Sequence, residues 1–230
     1  MKQALILFTR VPMPGKTKTR LLQELSGAQC ARAHTAFLRD EVRNCTAPDA
    51  WDLLIFYGSE GPVELLQKLL PGQARFFPQE GESLGEKMDR AITRTLKLGY
   101  DRCVLVGADL PELDRERIAE AFDALDRKNL VLGPTADGGY YLIGCSVPCP
   151  ELFAGQRYGG SSVLENTLRA AEHAGYTAAQ TEPVCDIDDP ADLRALARRL
   201  TGREETLCPD TRAFLRELGW MKGTHQNDDE

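Results

Sequence analysis

Short apolar runs alternate with longer segments of helical period, and this alternation constrains the fold more than any other feature of the chain. The runs occupy residues 4–8, 53–57, 103–106, 130–132, 140–143 and 184–187. Several are apolar at every position, as in Ala4-Leu5-Ile6-Leu7-Phe8, so both faces of such a strand must be covered. Between the runs, Leu84, Met88, Ala91, Ile92, Thr95 and Leu96 mark one helical face, closed by Gly99 as a C-terminal cap. Asp114 is placed to cap a helix that buries Ile118, Phe122 and Leu125. Ser162 and Glu165 have capping-box spacing for a helix ending near Gly175, and Asp189-Pro190 opens another. The pattern predicts an α/β fold: one domain with a mostly parallel, doubly wound sheet and helices on both faces. At 230 residues the chain is long enough to bury a full core as one domain, read here as residues 1–221. Residues 222–230 are polar and acidic and are expected to be a disordered tail.

Charge and cysteine usage exclude several classes of function. Lys and Arg number 28 against 35 Asp and Glu, a formal charge of −7, so the surface as a whole repels nucleic acid and anionic lipid. No apolar stretch approaches the roughly 18 residues of a membrane span. The first run is too short for a signal peptide, and no small-residue cleavage site follows it. The seven cysteines are odd in number and include no CxxC pair, which argues against a disulfide framework or a zinc site. A cytoplasmic, reducing location is expected.

Ligands of such sheets bind beyond the carboxyl ends of the strands, so the residues after each run are the candidates for a site. The segment from Thr9 to Leu21 concentrates Arg10, Lys16, Lys18 and Arg20 in an otherwise acidic chain. Its threonines add hydroxyl donors, and backbone amides near Gly15 could cradle an anion. Gly15-Lys16-Thr17 imitates the end of a P-loop, but Arg10 stands where that motif requires its first glycine. The competing reading is a solvated basic loop. Asp109 ends an apolar run at the sheet edge, where a carboxylate can hold Mg²⁺ or Mn²⁺, or simply cap a turn. Asp186 and Asp188 close the last strand on one of its faces, before a helix for which Asp189 is the cap. The stretch Asp137-Gly138-Gly139-Tyr140 allows close backbone approach to a ligand and is equally a hairpin signal.

In order, the chain presents Pro-x-Pro-Gly-x-x-Lys-Thr-Arg-Leu, Leu-Gly-x-x-Met, Gly-x-Asp-Leu-Pro, Asp-Gly-Gly-Tyr-Tyr-Leu-Ile-Gly and Asp-Ile-Asp-x-Pro-x-Asp-Leu. From Ala4 to Leu196 this resembles the bacterial glycosyltransferase-A-like, or nucleotide-diphospho-sugar transferase, proteins. It is more distantly similar to 2-phospho-lactate guanylyltransferases and molybdopterin guanylyltransferases. The resemblance implies that Lys18 and Arg20 meet nucleotide phosphates and that Leu84 and Gly85 help form the base pocket. It implies Asp109 as the principal metal ligand, with Asp188 or Asp186 as the second. Asp137, Gly138, Gly139 and Tyr140, with Ser161 and Ser162, would meet the acceptor. The chain departs from the family where many relatives carry Trp before the Ser/Thr pair, since Tyr158-Gly159-Gly160 stands here, and it has Ser83 and Lys87 where an acid and an arginine are frequent.

The function implied is a Mg²⁺- or Mn²⁺-dependent transferase with Lys18, Arg20 and Asp109 as its catalytic residues. Thr9, Arg10, Gly15 and Lys16 are added to the nucleotide-binding set. Its partners would be a nucleoside triphosphate or nucleotide-sugar and a small acceptor, with either a nucleotidyl or a sugar group transferred. The alternative is a non-catalytic nucleotide-binding or regulatory protein on the same fold. A hydride-transferring enzyme is disfavoured because no Gly-x-Gly-x-x-Gly turn follows the first run. His34, His173 and His225 fall in expected helices or the tail, so none is assigned an acid–base role.

Overall fold

A computed structural model describes residues 1–70, 72 and 74–221. The expected tail at 222–230 therefore lies outside the described residues. The apolar runs form β1 (Gln3–Thr9), β2 (Asp52–Tyr57), β4 (Arg102–Gly107), β5 (Leu130–Pro134) and β6 (Tyr140–Cys145), and two shorter strands, β3 (Arg75–Pro78) and β7 (Ala178–Gln180), complete one sheet. Its order is β3-β2-β1-β4-β6-β5-β7. Every pairing is parallel except those of β6, which runs against both β4 and β5. A tight turn forces that reversal: Thr135 N–H donates to the Gly139 carbonyl (3.1 Å) and Gly138 N–H to the Thr135 carbonyl (3.2 Å), so the two strands form a hairpin. The Asp137-Gly138-Gly139 stretch is thus a hairpin turn, whatever else it does.

The helices are α1 (Gly27–Cys45), α2 (Val63–Leu69), α3 (Leu84–Lys97), α4 (Arg115–Ala124), α5 (Val163–His173), α6 (Pro190–Leu200) and α7 (Pro209–Glu217). Because side chains alternate along each strand, Leu5, Leu7, Val104 and Val106 pack with α1, α2 and α4. Ala4, Ile6, Cys103 and Leu105 face the opposite way, towards α3 and α5. The doubly wound expectation therefore holds. An outer layer is added to it: α6 and α7 bury Leu193, Leu196, Phe214 and Leu215 against Phe37 and Ala33 on the far side of α1. Buried Asp40 of α1 ties this layer down by accepting from Asp210 N–H (3.1 Å) and Thr211 N–H (2.8 Å) in the first turn of α7. The cysteines are free thiols, and all but Cys185 are buried. Among the described residues no helix is long and apolar enough to cross a membrane.

Two local expectations fail for identifiable reasons. Residues 184–187 are not a strand: Val184 makes one isolated bridge to Thr135, and Ile187 N–H leaves to donate to the Asp109 carbonyl (3.1 Å). Pro183 before the run and Asp186 within it leave too little apolar side chain for a ladder, so the sheet edge is β7 instead. Ser162 does occupy the N-cap of α5 but makes no capping bond, because its φ of −108° and ψ of 6° are not the extended cap conformation. Glu165 turns to Arg169 (2.6 Å) rather than back to the cap.

Gly138 has φ +87°, and a Cβ there would lie far inside contact distance of the Ser161 carbonyl oxygen. Leu164 N–H donates to the Gly138 carbonyl (3.0 Å), so the turn and the start of α5 are interlocked. Gly138→Ala should destabilise the fold by at least about 1–2 kcal/mol from backbone strain alone, measurable as a lower urea midpoint.

Candidate active site

The chain runs β1, β2, β3 in one direction from the centre and then returns to place β4 on the other side of β1. That reversal splays the connections apart at the carboxyl ends of β1 and β4, the place where open α/β sheets bind ligands. A cleft of about 620 Å³ opens there, lined by Thr9, Arg10, Lys18, Arg20, Leu84, Tyr140, Asp109, Asp186 and Asp188, among others. Its size suits a nucleotide-sized ligand. A separate groove of about 430 Å³ runs along α3 past Arg90, Arg94 and Lys97; there Arg94 is already paired with Glu80 (3.2 Å).

Lys18 is the pivot. Its backbone is left-handed (φ 50°, ψ 44°), unusual for a side chain of this size, and this turns Lys18 inward until only 5% of the side chain is exposed. Its Nζ meets Asp109 Oδ1 at 2.6 Å, donates to the Ile187 carbonyl at 2.5 Å, and lies 5.0 Å from the centre of the Phe37 ring. Burial would raise the Asp109 pKa, but the Lys18 ammonium more than offsets this and holds the carboxylate below its ordinary value. Arg20 pairs in turn with Asp188 (2.5 Å).

Ile187 stitches the last acidic segment to this pair, since its N–H bonds to Asp109 and its carbonyl accepts from Lys18. Asp186 and Asp188 are thereby brought beside Asp109, although no strand carries them. Burial and then the charge of Asp188 push Asp186 up to about 6. Asp188 is also raised, by burial and then by Asp109, with Lys18 and Arg20 opposing. Among the described residues no three His, Cys, Asp or Glu groups are close enough to hold a metal by themselves. The donors available are carboxylate oxygens, two of them crowded by like charge, which suits a hard divalent cation that takes its remaining ligands from phosphate and water.

Not every predicted residue reaches the cleft. Gly15 and Lys16 are absent from its wall; Lys16 Nζ instead donates to the Glu60 carbonyl (3.2 Å). Gly85 faces the other way, where a Cβ would press on the Phe153 carbonyl and Tyr158. Ser161 and Ser162 sit behind Gly138 rather than in the wall, and Asp137 is held by Thr135 Oγ1 (2.5 Å) and Gly139 N–H (3.1 Å). That Thr135 hydrogen bond is the largest cause of a lowered Asp137 pKa.

Two residues of α1, seven positions apart on one helix face, were not legible as site residues. His34, read as remote, is buried beneath the cleft with Nε2 3.1 Å from Thr9 Oγ1 and 3.2 Å from the Arg10 carbonyl. A carbonyl only accepts, so Nε2 carries the proton, and buried Nδ1 has no partner among the described residues. Glu41, also fully buried, accepts the Leu110 N–H and so fixes the backbone just beyond Asp109. Burial raises its pKa well above the usual carboxylate range, with the Leu110 bond opposing and the charge of Asp109 adding to the rise. Neither residue lies in a motif; only their spacing on α1 hinted that they share a face.

This sheet order with a cleft at the β1–β4 switch point is the fold of nucleotide-diphospho-sugar transferases and related nucleotidyltransferases. The chain belongs to the family described as uncharacterized protein conserved in bacteria (DUF2064), whose model matches residues 41–160. A proposed nucleotide-diphospho-sugar transferase of Desulfovibrio desulfuricans G20 is 33% identical over 95% of this chain and 96% of its own, with a TM-score of 0.87. A cytidylyltransferase of Leptospira borgpetersenii serovar Hardjo-bovis shares the fold at 12% identity, over 95% of each chain, with a TM-score of 0.58. The 4-diphosphocytidyl-2C-methyl-D-erythritol synthase of Anaerococcus prevotii DSM 20548 shares it at 8% identity, over 94% of this chain and 96% of its own, with a TM-score of 0.56. No curated protein sequence matches the chain.

Burial, the largest influence, lowers the His34 pKa to about 4, with Asp109 opposing and Lys18 assisting. The unfolded chain, with histidine near 6.5, therefore binds the proton first. The stability that His34 contributes is complete above about pH 6.5 and is lost as pH falls towards about 4. Denaturation curves should show close to one extra proton taken up on unfolding in that window, and less for His34→Gln.

Proposed function

We propose that this chain is a metal-dependent transferase that binds a nucleoside triphosphate in the β1–β4 cleft and passes its nucleotidyl group to a small acceptor. The observation that carries this reading is the Lys18–Asp109 pair at the switch point, flanked by Arg20–Asp188. It joins the basic loop after β1 to the acid that ends β4, so phosphate-binding cations and metal-binding carboxylates share one wall.

The charges explain why a metal is part of the reading. The wall holds Arg10, Lys18, Arg20 and Lys87 against Glu60, Asp109, Asp186 and Asp188, four cations to four carboxylates. A triphosphate would add several negative charges to a site with none to spare. Mg²⁺ or Mn²⁺ held by Asp109 with Asp188 or Asp186 would compensate that charge and polarise the phosphoryl oxygens. Lys18 and Arg20 then neutralise charge developing on the transferred and departing phosphates, while Arg10 and Thr9 fix the far end of the chain of phosphates. Catalysis by this site is mostly positioning and charge neutralisation. Buried, neutral His34 supports the loop from below and takes no proton from the acceptor. The acceptor approaches on the Tyr140 side, which Asp137, Gly138, Gly139, Ser161 and Ser162 shape by holding the hairpin turn against α5.

Wild-type protein with Mn²⁺ and a nucleoside triphosphate at about 100 times its Kd should gain roughly 2.7 kcal/mol of stability. Lys18→Met should weaken triphosphate binding by at least about tenfold, relative to its own unliganded melting temperature, because a buried charge-assisted phosphate contact is lost. Product analysis then separates the chemistries. Pyrophosphate release from a triphosphate supports nucleotidyl transfer, whereas nucleoside diphosphate released from a nucleotide-sugar replaces it with sugar transfer.

A further inference from the structure

The groove on the outer flank of α3 has no part in the proposed reaction. It shares no lining residue with the cleft, which takes Leu84, Lys87 and Met88 from the first turns of α3, whereas the groove takes Arg90, Arg94 and Lys97 from the later ones. β3 is the edge of the sheet and only four residues long, so among the described residues no further strand flanks α3 on this side. The result is a concavity of about 430 Å³, with Pro78 and the 39% exposed Leu98 as apolar surface. That volume lies within the range of small-molecule sites.

Arg90, Arg94 and Lys97 stand one turn apart on one face and span about 10.5 Å of helix. Arg94 is held in place: its guanidinium lies 4.7 Å from the centre of the Phe77 ring, which stacks on Phe56 at 5.1 Å, and it meets Glu80 at 3.2 Å. Its neighbours are less engaged. Arg90 reaches Glu86 only at 4.0 Å, and Lys97 makes no ion pair among the described residues. Like charges at this spacing repel, so the helix gains nothing from grouping them. The helix dipole favours cations in the last turn, which accounts for Arg94 and Lys97 but not for Arg90. Two acids share the wall. Asp89 accepts from Thr93 Oγ1 at 3.4 Å, and Glu80 is 57% exposed, so its pair with Arg94 is screened by water and exchangeable for a phosphate. Three cations thus outnumber two carboxylates here, in a chain whose formal charge is −7.

We propose that this groove is a second anion site and that it takes a small compound carrying two phosphate groups. Arg94, fixed by Phe77, meets both phosphates, with Arg90 completing the site for one and Lys97 for the other. A lone phosphate engages at most two of the three cations, whereas two linked phosphates use the whole row. Pro78 and Leu98 offer apolar contact to whatever joins the phosphates. The site does not depend on the nucleotide-binding reading, because no lining residue is shared with the cleft.

The test is calorimetry of the full chain in the presence of a metal chelator, with inorganic phosphate, pyrophosphate and fructose 1,6-bisphosphate as probes. Wild type should bind at least one of the two doubly phosphorylated probes about tenfold or more tighter than phosphate. The double variant Arg90→Gln/Lys97→Gln should weaken that binding by at least about tenfold. Lys97→Gln alone, which breaks no ion pair among the described residues, should already cost at least about threefold. Arg20→Gln, in the cleft, should leave the binding unchanged within about twofold. Tighter binding of fructose 1,6-bisphosphate makes the natural ligand an organic bisphosphate, and tighter binding of pyrophosphate makes it the inorganic ion; either ranking supports the site. Binding lost in Arg20→Gln but intact in Arg90→Gln/Lys97→Gln assigns the anion to the cleft and overturns the inference. So does the absence of binding to wild type, or phosphate bound as tightly as both other probes.

Discussion

The ion pair between Lys18 and Asp109 is the contact on which the rest of the site depends. An ammonium with 5% of its side chain exposed is tolerable only if its charge is met, and here a carboxylate and a main-chain carbonyl take two of its donors while an aromatic ring lies beside it. Those partners come from the end of β4, from the extended segment before α6, and from α1. One buried charge thus brings together segments far apart in the sequence. Even the outer helical layer serves this arrangement, since Phe37 and Ile187 belong to the core that α6 and α7 complete.

The arrangement is costly for the unliganded protein. Three carboxylates converge on one end of the sheet, and burial, with like charge adding to it, raises the pKa values of Asp186 and Asp188. Lys18 itself sits in a backbone region that side chains seldom occupy. Stability alone would not select a left-handed lysine beside clustered acids. The proposed ligand, which brings both negative phosphates and a divalent cation, would offset the crowded acids and cations together. Glu41 beneath the same cleft and His34 in its floor add polar groups that hold the backbone at Leu110 and Arg10.

Much of this was legible in the amino-acid order, for a physical reason. A strand covered on both faces must be apolar throughout, so β1 and β4 stand out, and whatever follows them lies at the ligand edge. That rule alone points to Asp109 and to the basic loop with Arg10, Lys16, Lys18 and Arg20; the choice of Lys18 and Arg20 within the loop comes from the family resemblance. The short strands β3 and β7 were not, because Arg-Phe-Phe-Pro and Ala-Ala-Gln carry too little pattern to separate from loop. Asp186 and Asp188 reached the cleft by a different route from the expected strand: two main-chain bonds of Ile187 place them, and such bonds leave no trace in side-chain pattern. His34 was passed over because a lone histidine on an amphipathic helix looks the same whether it faces a core or the underside of a site. Gly85 shows the converse, a motif glycine whose missing side chain makes room for Phe153 and Tyr158 rather than for a ligand.

The central claim is that Asp109 and the basic loop act together on a metal–triphosphate complex. Electron paramagnetic resonance of Mn²⁺ titrated into the protein tests it directly, with and without nucleoside triphosphate, in wild type and in Asp109→Asn. The account predicts that triphosphate converts weak Mn²⁺ binding into a tight protein-bound signal, and that Asp109→Asn abolishes the gain while the protein stays folded. A signal unchanged by Asp109→Asn, or triphosphate bound equally well without any divalent cation, would contradict it.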